Sequence, residues 1–405
     1  MRVLFVPLAT PAHYYPMVPL AWAFRTAGHD VRVAGQPPIT SSIINSGMPA
    51  VPVGGQYDLL SNLRKSEEAF IANAGRRLGE FSDLSAVPVV ALRRYADMRR
   101  EAHVKTAEAM ASDLVPFVEA WRPDLVIGDL ITMVAPLAAE IAHATLVMHS
   151  WGPQMPSKNA PKGAITAADD DLCELYDRYG AKLPADTETH IVDPCPPSLQ
   201  SWDEDLRIIG RYVPYNGSGI EPSWLRESIG LPRVCVSWSL SQDGMVGSQD
   251  DYLLKLIAAL EELDVETVVT LNSVDDLDLK PASDKVRISE AVPLQLMLPT
   301  CAVAVHHGGA GTMLTAAAYG IPQVVVPQGG GHVINADRVQ ATGIGISFAA
   351  DKGDPSDIAA AVSSMLPAQS TWRKAAVSVQ EENETQDPPD SVVRRLEQLV
   401  SGYVN

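Results

Sequence analysis

Short apolar runs alternate with helical patterns along the first half of the chain. Met17 to Ala27 has the pattern of an amphipathic helix that ends at Gly28, and a long polar, helical region follows the third apolar run. Strands alternating with helices form parallel sheets with right-handed crossovers, so this half predicts a doubly wound α/β domain. The predicted strands cover residues 2–8, 30–34, 50–53, 122–130 and 145–149.

The same alternation starts again in the second half and predicts a second doubly wound parallel sheet. Its strands are predicted at residues 233–237, 266–271, 286–288, 302–306 and 323–326. Its helices are predicted at residues 250–263, 311–319, 333–341 and 355–365. A charged amphipathic helix is predicted at residues 390–400.

Two segments between the halves, DPCPPSLQ (residues 193–200) and YVPYNGSG (residues 212–219), are dense in loop-forming residues. A length of 405 residues also favours two domains. The predicted division is a first Rossmann-like domain over residues 1–205, a linker over 206–224, a second Rossmann-like domain over 225–385, and a terminal helix over 386–405.

The balance of 31 basic against 49 acidic residues, a net charge of -18, disfavours binding to nucleic acid or to an anionic membrane surface. No apolar run is long enough to span a bilayer, and the N-terminal run looks like a buried strand rather than a signal peptide. We therefore expect a cytoplasmic protein. The four scattered cysteines are expected to be reduced and structural.

The strongest chemical signal is the segment AVAVHHGGAGTMLTAAAYGIP (residues 302–322), in which a strand runs through a small-residue turn into a helix. Free N–H groups and the helix dipole at such a turn attract anions, and two histidines beside it add donors for a diphosphate. The alternative is a tight turn with two surface histidines. The segment fits neither GxGxxG nor the P-loop pattern. The candidate residues are His306, His307, Gly308, Gly309, Ala310, Gly311 and Thr312.

The second signal is His13, which follows the first strand, with Asp129 at the carboxyl end of the strand RPDLVIGD. Carboxyl ends of parallel strands line the ligand crevice of an open α/β sheet. An imidazole there can act as a base, and a carboxylate can hold its tautomer and stabilise its charged form. The alternatives are an ordinary loop histidine and a helix N-cap before Ile131.

Weaker signals complete the set. Ser239 and Ser241 either touch phosphate or make loop bonds. The acidic loop that contains Asp275, Asp276 and Asp278 is expected to be solvated, and neither a metal nor a cofactor is predicted. Near strand ends, the candidates for acceptor contacts, each equally compatible with a core position, are Tyr14, Tyr15, Met133 and Trp151.

With these residues in view, the whole chain resembles the actinobacterial natural-product glycosyltransferases of the two-Rossmann-domain (GT-B) type. The markers are the opening MRVLFVPLATPAHYYPMVPLAWAF, AGHDV, RPDLVIGD and HHGGAGT. PPSLQ and YNGSG are close to the branch that transfers deoxysugars to polyketides in antibiotic biosynthesis.

The resemblance implies an inverting transfer of a sugar from a nucleotide donor to a hydrophobic small-molecule acceptor. A histidine three residues before a proline is the family's general base, which matches His13 before Pro16, and Asp129 matches its supporting carboxylate. Some relatives use a carboxylate in this region as the main base. The family's diphosphate site falls on His306 and residues 308–312, its nucleobase site on residues 291–294 with Val292, and its final helix packs back on the first half.

The chain departs from the family at two places. Ala291 and Leu294 stand where many relatives have Trp and Gln, and Gly331 and His332 stand where relatives carry an acid–amide pair. Fewer polar partners suit a deoxysugar, and a small apolar turn suits a thymine methyl, so the expected donor is a thymidine diphosphate (TDP) deoxysugar. Gln328 or Asn335 could replace the missing contacts.

Two other functions stay open at this point. One is a catalytically silent auxiliary protein that kept the nucleotide site, and the other is a nucleotide-sugar epimerase or hydrolase on the same fold. The His13–Asp129 combination argues against the first, and the apolar region after Asp129 favours a bulky organic acceptor over the second. A homodimer is compatible with the sequence.

Overall fold

The computed structural model describes most of the chain, and the account below is confined to that part. Six residues discussed above lie outside it: Ser239, Ser241, Asp275, Asp276, Asp278 and Ala291. The described residues are 1–76, 78, 87–154, 170–182, 189–201, 206–227, 230–238, 249–271, 283–290, 292–328, 330–349 and 353–402.

The first half forms a seven-stranded parallel sheet with the order β3-β2-β1-β4-β5-β6-β7. Val3 of β1 lies between Val31 of β2 and Leu125 of β4, so the strand that leads to His13 is central. The order reverses between β1 and β4, which is where open α/β sheets hold ligands. The strands are β1 Arg2–Val6, β2 Asp30–Gly35, β3 Ala50–Pro52, β4 Leu125–Asp129, β5 Thr145–His149, β6 His190–Asp193 and β7 Arg207–Ile209.

The predicted end of the first half at residue 205 was wrong for the sheet. Strand β7 lies inside the predicted linker and pairs with β6 through Ile191–Arg207, Val192–Ile208 and Asp193–Ile209. The Pro-rich segment after Asp193 is therefore a connection within the first half rather than a link between halves. Residues of this segment, Cys195 and Gln200, donate hydrogen bonds to the buried carboxylate of Asp193.

The second half forms a six-stranded parallel sheet with the order β10-β9-β8-β11-β12-β13, and the prediction of two α/β sheets is confirmed. Strand β11, which leads into HHGGAG, is again next to the strand that opens its sheet, because Val303 pairs with Val234. The strands are β8 Arg233–Ser237, β9 Glu266–Leu271, β10 Val286–Glu290, β11 Val303–His306, β12 Gln323–Val325 and β13 Gly345–Ser347.

Helices cover both sheets. A single helix of 33 residues, α5, fills much of the region that the sequence marked only as long and helical. The helices are α1 Pro11–Tyr14, α2 Val18–Thr26, α3 Thr40–Asn45, α4 Leu59–Ala74, α5 Val89–Trp121, α6 Ala135–Ala142, α7 Asp170–Arg178, α8 Gln249–Glu261, α9 Leu294–Met297, α10 Ala310–Ala318, α11 Gly330–Thr342, α12 Pro355–Met365, α13 Thr371–Thr385 and α14 Pro389–Ser401. None of the helices in the described part is both long and apolar enough to cross a membrane.

The last helix, α14, returns to the first half. Its buried side chains Val392, Val393 and Leu396 join the core between α2 and the first sheet. Burying each such side chain stabilises the fold by about 1.5–3 kcal/mol. Glu397 of α14 also accepts a hydrogen bond from His29 at 2.9 Å, so a polar contact lies beside the apolar contacts between α14 and the first half.

The linker is hydrogen-bonded to the second half through Tyr212 and Asn216. The backbone N–H of Asn216 donates to Gln295 Oε1 at 2.8 Å, and Asn216 Nδ2 donates to Thr315 Oγ1 at 3.1 Å. The Tyr212 hydroxyl reaches Thr315 as well, at 3.1 Å. The segment YNGSG is thus attached to α9 and α10, the elements next to the HHGGAG turn.

Candidate active site

His13 stands in a short helix rather than in the open loop that its sequence context suggested. Proline opens each of three successive helical pieces: Pro11 lies in the first turn of α1, Pro16 in that of the following 3₁₀ turn, and Pro19 in that of α2. Proline fixes φ for a helix start and lacks the N–H that a continuing helix requires. The chain therefore turns in short steps above the end of β1, which holds His13 there.

His13 and Asp129 form a direct pair. His13 Nδ1 lies 2.7 Å from Asp129 Oδ2, across 116 residues of sequence. The other carboxylate oxygen, Oδ1, accepts from the backbone N–H of Ile131 at 2.9 Å. The helix N-cap considered for Asp129 was wrong, because α6 begins at Ala135 with Val134 as its N-cap; Oδ1 instead holds the turn after β4.

This geometry fixes the chemistry of the imidazole. Asp129 is fully buried and the His13 side chain is 15% exposed, so the pair is largely removed from water. A carboxylate that accepts from Nδ1–H leaves Nε2 as the basic nitrogen, and it stabilises the imidazolium that forms when Nε2 takes a proton. The pair can act as a general base with its orienting group.

Two further histidines lie around this pair, and no sequence motif marked either of them. His149 is the last residue of β5 and the register partner of Asp129, and His103 lies on α5. Both are buried, and burial lowers the pKa of each to about 4, so both are neutral near pH 7. They give the pair a polar but uncharged surrounding.

The turn between β11 and α10, residues 307–309, is the second component of the site. Gly308 has φ of +92°, and a Cβ there would lie 2.9 Å from His332 Cβ, so only glycine fits. Gly309 is the N-cap of α10, and no described side chain caps the helix. The first-turn N–H groups of α10 are left for an anion, and the helix dipole adds to the attraction.

The structure places His306, a predicted diphosphate contact, inside the protein at the end of β11. Its ring is fully buried, Nδ1 accepts from the backbone N–H of Gly308 at 3.1 Å, and Nε2 lies 2.9 Å from Gln323 Oε1. Both ring nitrogens are thus used inside the protein. Burial lowers the pKa of His306 to about 3, so it is a neutral group that shapes the turn.

His307 is the imidazole that faces the turn. It is half-buried, and a Cβ on Gly309 would lie 2.8 Å from its Nε2 atom. Its Nδ1 lies 3.4 Å from the carbonyl oxygen of Ser237. His332 packs beside it with a centroid distance of 4.9 Å, and burial lowers the pKa of both rings, that of His332 to about 3.

Other predicted donor contacts have structural partners. Asn335 is buried, and its Nδ2 donates to Gly308 O at 2.7 Å, so it holds the turn from below. His332 Nδ1 accepts from the Gln328 backbone N–H at 3.3 Å, which leaves Nε2 as its remaining ring nitrogen. Val292 packs half-buried among the apolar residues beside α9.

Three of the four predicted acceptor contacts lie in packed positions. Tyr14 is fully buried and its hydroxyl lies 2.6 Å from Ser46 Oγ, and Met133 packs in the core under α5, so both are core residues. Tyr15 packs edge-on to Tyr215, with its hydroxyl against Gly217 in the linker. Trp151 differs, because its half-buried ring packs on His13 with a centroid distance of 4.3 Å.

The two components of the site meet at Gly152. A Cβ on Gly152 would lie 2.7 Å from the Cβ of Ala310, the first residue of α10. Trp151 touches the His13–Asp129 pair, and the adjacent residue touches the helix that starts at the β11–α10 turn. The His13–Asp129 pair and the β11–α10 turn are therefore joined through two adjacent residues. Within the described part, no group of three His, Cys, Asp or Glu side chains is arranged to hold a metal ion.

Two Rossmann-like sheets, with a His–Asp pair at the end of one and a helix N-terminus without a side-chain cap at the end of the other, are the arrangement of a GT-B glycosyltransferase. Comparison with known proteins agrees. The models of the erythromycin biosynthesis protein CIII-like family match the chain in two parts, the N-terminal domain at residues 22–239 and the C-terminal domain at residues 254–399. The chain belongs to this family.

Individual relatives match over the full length. The chain is 32% identical to 10-deoxymethynolide desosaminyltransferase of Streptomyces venezuelae, with 100% of this chain and 98% of the relative covered. Among solved structures, the spinosyn forosaminyltransferase SpnP matches with a TM-score of 0.80 and 29% identity, covering 99% of each chain. The glycosyltransferase VinC, solved in complex with dTDP, matches with a TM-score of 0.77 and 27% identity, covering 99% of this chain and 100% of that one. The predicted resemblance to antibiotic glycosyltransferases of the deoxysugar branch is confirmed.

Proposed function

We propose that the protein transfers a deoxysugar from a TDP-sugar to a hydroxyl group of a polyketide-type acceptor, with inversion at the anomeric carbon. The observation that carries the proposal is the His13–Asp129 pair, joined through Trp151 and Gly152 to the N-terminus of α10. This arrangement supports a general base and an anion site on opposite walls of one cleft.

The step balances with the groups present. His13 Nε2 takes the proton of the acceptor hydroxyl while that oxygen bonds to the anomeric carbon from the face opposite the leaving group. The bond between this carbon and the diphosphate oxygen breaks, and its electron pair leaves with TDP. Asp129 stabilises the imidazolium, and the α10 N-terminus stabilises the charge on the diphosphate.

The first sheet, with α14, forms the acceptor half in this proposal, and the second sheet forms the donor half. Of the two predicted histidines, His306 and His307, we assign the diphosphate contact to His307, since its Nε2 lies at Gly309. A bound diphosphate favours the imidazolium form of His307, which then donates a charge-assisted hydrogen bond.

The choice of donor rests on the polar groups around the turn. Gly331 has no side chain, and one ring nitrogen of His332 is already used by the Gln328 N–H, so among the described residues of this turn few directed partners are left for the sugar. The Nδ2 of Asn335 already donates to Gly308 O. The names of several relatives, including a desosaminyltransferase and a structure with dTDP, agree with a TDP-deoxysugar.

Turnover assays test the proposal. TDP-desosamine and TDP-rhamnose are each offered with a macrolactone, 10-deoxymethynolide, and with an aromatic polyketide aglycone, and the product's anomeric configuration is determined by NMR. We expect at least one pair to give a glycoside of inverted configuration. Retained configuration would reject the single displacement, and tight TDP binding without turnover of any pair would indicate an auxiliary protein instead.

A further inference from the structure

The loop after β5, residues 150–154, connects the two walls of the cleft. Trp151 lies on the His13 ring with 4.3 Å between ring centroids and 43° between ring planes. Gly152 lies against Ala310 so closely that any side chain on it would collide with that residue's Cβ, at 2.7 Å. Two adjacent residues of this β5 loop thus contact the base and the donor helix.

A buried carboxylate anchors the β5 loop. Asp193, the fully buried last residue of β6, accepts from Ser150 Oγ at 3.1 Å and from Gln200 Nε2 at 2.8 Å. Ser150 Oγ lies 3.0 Å from Gly152 O, and Gln200 Oε1 accepts from Gln154 N–H at 2.9 Å. Both ends of the loop are therefore tied to one side chain.

Two further groups donate hydrogen bonds to the Asp193 carboxylate. Arg207 of β7 donates from Nε to Asp193 Oδ2 at 3.0 Å, and the Cys195 backbone N–H donates to Oδ1 at 2.9 Å. A buried carboxylate with this many donors is a rigid anchor, because each partner would lose its bond if the group moved. The β5 loop is consequently fixed to the sheet edge rather than free to swing.

We propose that Trp151 is a positioning residue for the general base: its indole holds the His13 ring against Asp129 and stabilises the imidazolium formed during transfer, and Gly152 ties this arrangement to the donor helix. The inference rests on the proposed function of His13. A cation over an indole is attracted by the ring's negative face, and the effect is largest at sites removed from water. The neutral imidazole gains less, so the contact favours the protonated state.

The charged and titratable groups around His13 define what a titration reports. Asp129 pairs with it from β4, while His149 on β5 and His103 on α5 are kept neutral by burial. Arg99 lies on α5 near His103. A change in Trp151 emission that disappears when His13 is replaced therefore reports the protonation of His13 itself.

Fluorescence tests the contact without any substrate. Tryptophan emission of the wild-type protein and of Trp151→Phe is titrated with pH, and the difference is the emission of Trp151. An imidazolium quenches an adjacent indole, so we expect this difference to fall as the pH is lowered. The fall should be absent in the background of His13→Asn, which keeps a donor for Asp129 but cannot be protonated. A fall that persists in that background, or no fall at all, overturns the proposal.

Kinetics test the consequence. Trp151→Leu, which keeps an apolar side chain without a π face, should lower kcat by about 5- to 30-fold with the donor KM unchanged. Trp151→Phe should recover most of the loss. Equal kcat for wild type and Trp151→Leu would overturn the proposal. If no donor–acceptor pair turns over at all, the proposed function fails while the fluorescence result still decides the role of Trp151.

Discussion

Gly152 and Ala310 lie in contact across the cleft, with 2.7 Å between the position of a Cβ on Gly152 and the Cβ of Ala310. This contact joins the loop after β5, three residues beyond the strand end at His149, to the first turn of the donor helix. It makes the spacing between base and donor a property of two small residues, and that spacing can be changed by one methyl group.

Gly152→Ala should therefore separate the two walls. Overpacking by a methyl group costs typically about 1–3 kcal/mol, so we expect kcat/KM to fall by about 5- to 150-fold. The measurement is steady-state turnover with the best donor–acceptor pair.

The matched control is the double variant Gly152→Ala with Ala310→Gly, which moves the methyl group from one wall to the other. It should recover a large part of the activity. If the second substitution gives no recovery, the loss does not come from this contact.

The base assignment predicts a loss of turnover without a loss of donor binding. His13→Asn keeps a donor for Asp129 but removes the basic nitrogen, and losing acid–base assistance lowers turnover by about 10²–10⁴-fold. Asp129→Asn should lower turnover as well, because an amide can stabilise the wrong tautomer and not the imidazolium. TDP affinity, measured by calorimetry, should stay within about twofold for both variants. Near-normal turnover across pH in His13→Asn would reject the assignment.

TDP binding should take up protons at His307. Burial lowers the pKa of His307 in the free protein, and a bound diphosphate favours its charged form, so the complex binds more protons than the free protein. Affinity should accordingly rise as the pH falls through the range in which only the complex is protonated. Calorimetry in buffers of different ionisation enthalpy measures the uptake directly, and His307→Gln should abolish it.

His306, the neighbour of His307, is expected to affect the stability of the fold rather than TDP binding. Because its two ring nitrogens bond to Gly308 and Gln323, His306→Ala should destabilise the fold by about 1–3 kcal/mol, measured by urea unfolding. His307→Gln should leave stability within about 0.5 kcal/mol. The opposite order of effects would return the diphosphate role to His306.

Three buried neutral histidines predict how stability depends on pH. Burial lowers the pKa of His103 and His149 to about 4 and that of His306 to about 3, against roughly 6.5 in an unfolded chain. Between these values the unfolded chain binds protons that the folded chain does not, so stability is lost as the pH falls below about 6.5. Each histidine lowers the free energy of unfolding by up to about 1.4 kcal/mol for each pH unit of the fall.

Urea unfolding at several pH values between neutrality and pH ~5 measures this slope. His149→Gln cannot be protonated and should reduce it. The control is His143→Asn at an exposed position with φ of 52°, a left-handed conformation that asparagine tolerates. This control should leave the slope unchanged, and an equal effect of both variants would contradict the account.

Much of the fold could be predicted from apolar runs alone. The bounds of β5, β8 and β9 match the predicted strands, because each is a run of buried residues of the kind that a parallel sheet requires. Strands β6 and β7 were missed because they are four and three residues long and carry polar side chains. The segment after β6 looked like a linker because it is rich in Pro. The sequence pattern does not show that the Asp193 carboxylate accepts hydrogen bonds from Ser150, Gln200 and Arg207.

The sequence predicted which segments form the candidate site but not which histidine of the β11–α10 turn points away from the core. His13 and Asp129 followed from their positions at strand ends, which converge at one sheet edge. The sequence could not tell which of His306 and His307 faces the ligand, because adjacent residues at a strand end point in opposite directions. Here the first turns into the protein and the second toward Gly309. The contact between Trp151 and His13 depends on tertiary packing that no local pattern records.

The central claim is that this family member uses a TDP-deoxysugar as its donor. Competition in one reaction tests it most directly, with TDP- and uridine diphosphate (UDP)-linked donors, each both deoxygenated and fully hydroxylated, offered to the same acceptor and the products resolved by mass. We expect a TDP-linked deoxysugar to be used in preference to every other donor, since the described residues around Gly331 and His332 offer few partners for extra hydroxyls. A preference for UDP-glucose over every TDP-linked deoxysugar would contradict it.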